Sequence, residues 1–289
     1  MVSEIERAVA RHTGSSFVNR DSALLGGGCI NQASKIHSKD GRTFFLKINQ
    51  TSFLPFFEAE AEALKEIRAT QTVIAPDVIA HGLAKDKAFL ALEFINEGRS
   101  SAGSQENLGI LLAKMHKIKQ PFFGWKRDNC IGATPQPNPK TDSWSEFYRD
   151  HRLAFQLKLA QSKGRTFDGA HKLLESMESF FCDYSPHPSL LHGDLWGGNA
   201  SFDSSGVPFI YDPASYYGDR EADLAFTYMF GGFSSSFYDA YNQEYPLNSG
   251  FSQRKTLYNL YHELNHFNLF GGGYASSAQS SIDQLLSQL

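Results

Sequence analysis

The sequence predicts an α+β chain: a small antiparallel β-sheet lobe with one main helix, followed by a larger, mostly helical lobe. Three observations carry this. Before residue 96, short apolar runs are separated by turn residues, and Asp40-Gly41 between two of them is a hairpin signal. Residues 96–104 are polar and rich in glycine and serine, as a connection between lobes would be. Beyond them, apolar residues recur mostly at helical spacing. The lobes are accordingly set at 1–95 and 105–289, with 96–104 as hinge.

Residues 4–11 read as a helix with Ile5, Ala8 and Val9 inward. Residues 22–25 lead as a strand into Gly26-Gly27-Gly28, and 32–37 and 43–48 are the strands flanking Asp40-Gly41. Residues 56–68 follow Pro55 and are rich in Ala, Glu and Leu, which favours a helix. Two further strands fall at 76–83 and 88–95. Helices follow at 105–119, 143–162, 168–182, 221–230, 234–243, 252–269 and 276–288. The proline-rich 121–142 reads as a long loop, and 199–213 as a hairpin turning at Ser204-Ser205-Gly206.

Composition removes several function classes. In 289 residues, 41% hydrophobic and 13% aromatic content supplies a sizeable core, and the ordinary glycine and proline content excludes a collagen-like or disordered chain. A net charge of −4 speaks against a broad nucleic-acid face. No apolar run approaches a membrane span. The start, Met1-Val-Ser-Glu-Ile-Glu-Arg7, does not look like a signal peptide. Cys29, Cys130 and Cys182 form neither a CxxC pair nor a disulfide framework, so a reduced, cytoplasmic protein is expected.

The strongest chemical signal is Leu190-Leu-His-Gly-Asp-Leu-Trp-Gly-Gly-Asn199, which holds H-x-D-x-x-x-x-N. A phosphotransferase needs a carboxylate to orient the attacking hydroxyl and take its proton, here Asp194. It also needs an oxygen ligand for Mg²⁺ a fixed short loop away, here Asn199. Asp212 follows an apolar strand and faces Asn199 across the hairpin, which suits a second metal ligand. Turn residues beside glycines are the bland alternative for Asp194 and Asn199.

The first lobe supports the same chemistry independently. Alternation along 43–48 puts Phe45 and Lys47 on one face and Phe44, Leu46 and Ile48 on the other. On the next helix, Phe57, Ala61, Leu64 and Ile67 form the inward stripe, with Glu60 beside them. Glu58, Glu62, Lys65 and Glu66 are expected on the solvated side. An inward glutamate needs a partner, and Lys47 is the obvious one. A strand lysine braced by a helix glutamate, holding nucleotide phosphates, is the protein-kinase arrangement. Gly26, Gly27, Gly28 and Cys29 stand where backbone N–H groups would cover phosphates, although a plain hairpin turn reads equally from those glycines. Glu93, Phe94 and Ile95 resemble a kinase hinge strand whose backbone would meet adenine.

Taken with Phe123-Gly-Trp125, Asp128-Asn-Cys-Ile-Gly132, Thr134-Pro-Gln-Pro-Asn138, Trp144-Ser-Glu-Phe147, His151-Arg-Leu153 and Tyr216-Tyr-Gly-Asp-Arg-Glu-Ala-Asp-Leu-Ala225, the chain resembles the fructosamine/ketosamine kinase family. That family lies within the aminoglycoside-phosphotransferase-like and choline-kinase-like enzymes. The resemblance runs through nearly the whole chain. It implies a bilobal protein-kinase-like fold and ATP- and Mg²⁺-dependent phosphorylation of a sugar hydroxyl, the O3 of a ketoamine formed by glycation. The phosphorylated adduct then breaks down and frees the amine. It also implies Trp196 as a face for the sugar, with simple core packing as the open alternative for that ring, and Asp219 and Arg220 as nearby polar contacts. His192 and Asp223 are expected to anchor the loop, Asp223 as an N-cap or loop anchor. Open alternatives are another small-molecule kinase of the same fold, acting on an aminoglycoside, choline or a sugar, and a catalytically dead nucleotide-binding scaffold.

Free or protein-bound ketoamines are the expected partners, with neither nucleic acid nor membrane. A monomer is expected, and Cys29 is a redox candidate able to link a dimer. His116 reads as an ordinary residue at a helix C-terminus. His262-Glu263-Leu-Asn-His266 matches H-E-x-x-H literally, yet a zinc protease needs a third ligand, so the match is taken as coincidental.

Overall fold

The computed structural model describes residues 2–25 and 30–289. Helix α1 (Val2–Thr13) opens the chain, two residues longer at each end than expected. Strands β1 (Asn19–Leu25), β2 (Gln32–Ser38) and β3 (Thr43–Gln50), helix α2 (Leu54–Ala69), and strands β4 (Val78–Ala84) and β5 (Lys87–Glu93) complete the first lobe. The strands form one antiparallel sheet in the order β1-β2-β3-β5-β4. Between β2 and β3 the turn is made at Asp40-Gly41, with Gly41 at φ +89°.

Strand β3 shows how alternation builds the lobe. Phe44, Leu46 and Ile48 join Ile5 and Val9 of α1 in a small core of their own. The other face turns Phe45 and Lys47 toward α2. Pro55 sits in the first turn of α2, where a missing N–H is harmless. Phe57, Ala61, Leu64 and Ile67 are buried, as the helical period requires.

The second lobe opens with α3 (Ala102–Lys117), whose first turn is closed by a reciprocal Ser101–Ser104 cap, so this helix begins inside the glycine- and serine-rich connection. Gly98 N donates to Phe202 O at 2.7 Å and lays that connection along the later hairpin. The expected loop 121–142 contains a small hairpin, β6 (Asn129–Ile131) and β7 (Thr134–Gln136). The helix expected over 143–162 is α4 (Trp144–Tyr148), a π turn at Arg149–Leu153 and α5 (Ala154–Ser162). The π turn places Arg152 in the interior, donating to Pro137 O at 2.8 Å and Asn138 Oδ1 at 2.6 Å. The helix expected over 168–182 divides into α6 (Ala170–Glu175) and a 3₁₀ turn at Met177–Phe181, because Ser176 leaves the α conformation and the tighter turn buries Met177 and Phe180.

Strands β8 (Ser189–Leu190), β9 (Ala200–Phe202), β10 (Pro208–Ile210) and β11 (Tyr217–Gly218) form two short antiparallel pairs, β9 with β10 and β8 with β11. The turn between β9 and β10 is closed by Asp203 Oδ1, which accepts from Ser205 N and Val207 N. Helices α7 (Arg220–Thr227), α8 (Ser235–Glu244), α9 (Phe251–Phe270) and α10 (Tyr274–Ser287) finish the lobe. Helix α7 stops short of residue 230 because Phe230 is left-handed, at φ +56°. One apolar core runs from α2 through α3 to α9 and α10, so the lobes share an interior on the α2 side. Among the described residues no helix is long and apolar enough to cross a membrane.

Candidate active site

The loop between β8 and β9 is pinned by Leu190, Leu191 and Leu195, all fully buried, while Asp194 between them stays half-buried. Gly193 sits at φ +81°, and a Cβ there would stand 2.1 Å from Ala214 O, so only glycine allows the two chains to touch. Asp223 holds this loop from beneath: its carboxylate accepts His192 N at 2.6 Å and Gly193 N at 2.8 Å. His116 Nε2 approaches the same carboxylate at 3.2 Å, and its Nδ1 meets Tyr241 OH at 2.8 Å. His192 Nε2 donates to Tyr211 O at 2.9 Å, while its Nδ1 accepts from Asp194 N at 3.3 Å. That pattern requires a neutral ring, and burial depresses the imidazole pKa accordingly. His192 thus ties the loop to Tyr211 O and to Asp194 N.

Asn199 Nδ2 donates to Asp194 O at 2.8 Å and to Asp194 Oδ2 at 3.0 Å, which fixes the carboxylate and leaves Oδ1 of Asn199 as the remaining acceptor. Tyr211 N donates to Asn199 O at 3.0 Å, so the hairpin sets Asp212 next to this pair. Asp212 is left-handed, at φ +58°. Its Oδ1 lies 2.6 Å from Lys47 Nζ, which also lies 2.7 Å from Glu60 Oε1. Burial works against the Lys47 ammonium, but Asp212 and Glu60 outweigh it and raise its pKa. Asp194 is pushed well above the usual carboxylate range, first by burial and then by the like charge of Asp212. A divalent cation held by Asn199 and Asp212 would relieve that conflict. The donor set is hard oxygen only. Among the described residues no group of three His, Cys, Asp or Glu is placed to hold a metal alone. That fits Mg²⁺, which completes its shell with substrate phosphates and water, and does not fit a protein-caged zinc.

The other predicted residues divide. Glu93 N donates to Asp77 O at 2.8 Å, so that N–H of the expected hinge is already used, and Phe94 and Ile95 lie past the end of β5. Trp196 is half-buried at the cleft edge, its ring 5.5 Å from that of exposed Phe230. Asp219 and Arg220, expected as substrate contacts, are structural. Asp219 is fully buried, caps α7 and accepts from Tyr184 OH and Tyr258 OH. Arg220 donates to Tyr245 O and Pro246 O and stacks 3.5 Å from the Tyr245 ring. The N-cap of α7 is thus Asp219, and Asp223 keeps only its loop-anchoring role. Gly26, Gly27, Gly28 and Cys29, with the redox reading of Cys29, lie outside the described residues. His262 stacks on Phe226 at 3.6 Å in the core, and among the described residues it belongs to no group able to hold a metal.

Sequence reasoning missed two features. His116 is a buried bridge between Tyr241 and Asp223, where a helix-terminal residue was expected; nothing local marks it. Glu58 and Glu62 lie on the outer side of α2 as expected, and Glu66 is more covered, but all three are also bound, by Trp125, Lys126 and Arg127. Their i, i+4, i+8 spacing was the available signal, because it presents one acidic stripe.

The pattern of the fructosamine kinase family matches residues 1–288. A Synechocystis protein named "probable ketoamine kinase" is 44% identical over 283 residues, covering 98% of this chain and 96% of its own. The chloroplastic protein-ribulosamine 3-kinase of Arabidopsis thaliana is 43% identical over 271 residues, covering 92% and 82%. A crystal structure titled "putative fructosamine-3-kinase" from Haemophilus somnus superposes with a TM-score of 0.92 at 31% identity, covering 98% of this chain and 96% of that one.

Proposed function

From the premise that this chain belongs to the fructosamine kinase family, an ATP-using kinase with the protein-kinase-like fold, we propose that it phosphorylates the O3 hydroxyl of a ketoamine. The observation that carries the roles is Lys47 Nζ joined to Glu60 and Asp212 beside the Asp194–Asn199 pair. Lys47 leaves Asp212 for the α- and β-phosphates of ATP, and Glu60 keeps it aimed. Phe94 and Ile95 offer backbone to adenine, and the glycine run at 26–28 covers the phosphates. Asn199 and Asp212 hold Mg²⁺, which when bound neutralises charge on the transferred group. Asp194 accepts a hydrogen bond from the sugar hydroxyl and takes its proton as the new O–P bond forms and ADP departs. Trp196 and Phe230 give the sugar and its amine an apolar face. The two described cysteines are free, in keeping with a cytoplasmic setting.

The test is phosphoryl transfer from ATP and Mg²⁺ to a ribulosamine, a fructosamine, kanamycin and choline, with Asp194→Asn as blank. Turnover on a ketoamine that vanishes in the blank is expected. Turnover on kanamycin or choline alone overturns the acceptor and keeps the fold.

A further inference from the structure

We propose that residues 125–138 form a strut that positions both nucleotide-handling halves of the cleft, with Arg127 acting on Glu60 through α2 and Gln136 acting on Asp212. The inference rests on the roles given above to Lys47 and Asp212. Neither Arg127 nor Gln136 reaches the cleft chemistry itself, so both are positioning residues.

At its first end the strut grips α2. Arg127 Nη2 donates to Glu58 Oε2 at 3.1 Å, and Arg127 Nη1 to Glu62 Oε1 at 3.0 Å. Lys126 Nζ and Trp125 Nε1 both reach Glu66 Oε2 at 3.2 Å. Tyr217, from the β11 strand, adds a hydroxyl to Glu66. Three carboxylates one turn apart are therefore bound from outside, and Glu60 lies on the same helix between the first two. The buried stripe of Phe57, Ala61, Leu64 and Ile67 orients α2, and this grip from the outer side restrains the remaining rotation that decides whether Glu60 meets Lys47.

At its other end the strut holds the backbone that follows Asp212. Gln136 Nε2 donates to Ala214 O at 3.0 Å, and Asn129 Nδ2 to Ser215 O at 2.8 Å. Both side chains are buried, and both are fixed in turn. Gln136 Nε2 also donates to Asn129 Oδ1 at 2.8 Å, and Tyr261 OH donates to Gln136 Oε1 at 2.7 Å. Asn138 Nδ2 donates to Asn129 Oδ1 at 2.9 Å, and Arg152 holds Asn138. Ala214 N donates to His192 O at 2.9 Å, so the same point also ties down the loop bearing Asp194. A left-handed, non-glycine Asp212 persists only when its surroundings over-determine it, and these amides supply that restraint.

The tip and body of the hairpin lie between the two ends. A Cβ on Gly132 would stand 3.0 Å from both Ile30 and Leu269, so the tip sits against the side chain of Ile30, just before β2. Strand β6 packs against α2, and burial there, with the charge of Glu60 next, pushes the Cys130 thiol up to about 12.

The two ends are separable by calorimetry of ATP binding. Arg127→Ala should weaken ATP binding in EDTA roughly 3- to 10-fold, less so at high salt, with an unchanged Mg²⁺ midpoint for the ATP complex. Gln136→Met, nearly isosteric but without donors, should raise that Mg²⁺ midpoint roughly tenfold and leave binding in EDTA unchanged. Asp212→Asn is the reference. If it leaves the midpoint in place, the metal role of Asp212 is overturned, and the strut is then decided by Arg127→Ala alone. If Asp212→Asn shifts the midpoint while Gln136→Met lowers only the melting temperature, the strut is overturned at that end. Unchanged ATP affinity in Arg127→Ala overturns it at the other. Arg127 is partly exposed, so this arm decides the matter should Gln136→Met not fold.

Discussion

Lys47 Nζ lies 2.6 Å from Asp212 Oδ1, and this ion pair joins the β-sheet lobe to the helical lobe at the point where ATP phosphates are proposed to bind. The lysine is almost fully buried and has Glu60 on its other side. Removing one partner of a buried pair leaves an uncompensated charge. We expect Lys47→Met to abolish turnover and to destabilise the fold by about 3 kcal/mol or more. Adding Glu60→Leu should restore much of that stability and none of the activity. Urea titrations of the three proteins check this. A double variant no more stable than Lys47→Met would show that Glu60 is not the stranded charge.

Asp194 makes the opposite prediction for stability. Burial and Asp212 disfavour its ionised form, so an amide relieves the conflict. Asp194→Asn should melt at or above the parent temperature while kcat falls about 10²- to 10⁴-fold. Steady-state kinetics beside a melting curve read both, and a strongly lowered melting temperature contradicts the electrostatic account.

Asp223 is a loop anchor, and its effect should be graded by hydrogen-bonding capacity. Its carboxylate accepts two buried backbone N–H groups. Asp223→Ala orphans both and should cost about 2–4 kcal/mol, with a fall in kcat as the loop loosens. Asp223→Asn keeps one good acceptor and should lie between. Equal losses in the two variants would point to charge, and not to backbone satisfaction, as the anchor.

The pH dependence of stability follows from the buried histidines. Burial depresses His262 well below its ordinary value of 6.5, and Nδ1 of its ring has no hydrogen-bond partner among the described residues. Below about pH 6.5 the unfolded chain takes up a proton there that the fold does not. The stability held above that pH is therefore lost as pH falls, by up to about 1.4 kcal/mol per unit. Buried carboxylates such as Asp219 and Glu221 are raised and act in the opposite sense, so the informative quantity is a difference. His262→Phe keeps the stack on Phe226 and should flatten the loss between pH 6.5 and 5 relative to the parent. Parallel curves would remove His262 from the account.

The legible parts of this protein were those written in local spacing. Alternation along β3 separated Lys47 from Phe44, Leu46 and Ile48, and helical spacing put Glu60 on the inward stripe of α2. The interval from Asp194 to Asn199 fitted one loop, and a hairpin brought Asp212 across to it. The less legible parts were breaks in regular elements. The π turn at Arg149–Leu153 exists because Arg152 finds Asn138 and the Pro137 carbonyl, partners far enough along the chain that no helical pattern reports them. The hairpin at 129–136 was hidden among prolines, and its Asn129 and Gln136 acquire meaning only against Ala214 and Ser215.

By itself the sequence determined the two-lobed α+β order and brought out the residues here proposed to hold phosphate, metal and a proton, because period and loop length act over a few residues. Only the tertiary structure decided which polar groups stay available to a ligand. Asp194 and Asp219 look alike in the chain, each beside a glycine. Packing leaves the first facing the cleft and surrounds the second with Tyr184, Tyr258 and a helix N-terminus. The acidic stripe of α2 looked solvent-bound until Arg127, 65 residues beyond Glu62, closed on it. Desolvation and long-range pairing depend on what the rest of the chain brings alongside, and local sequence carries no record of that.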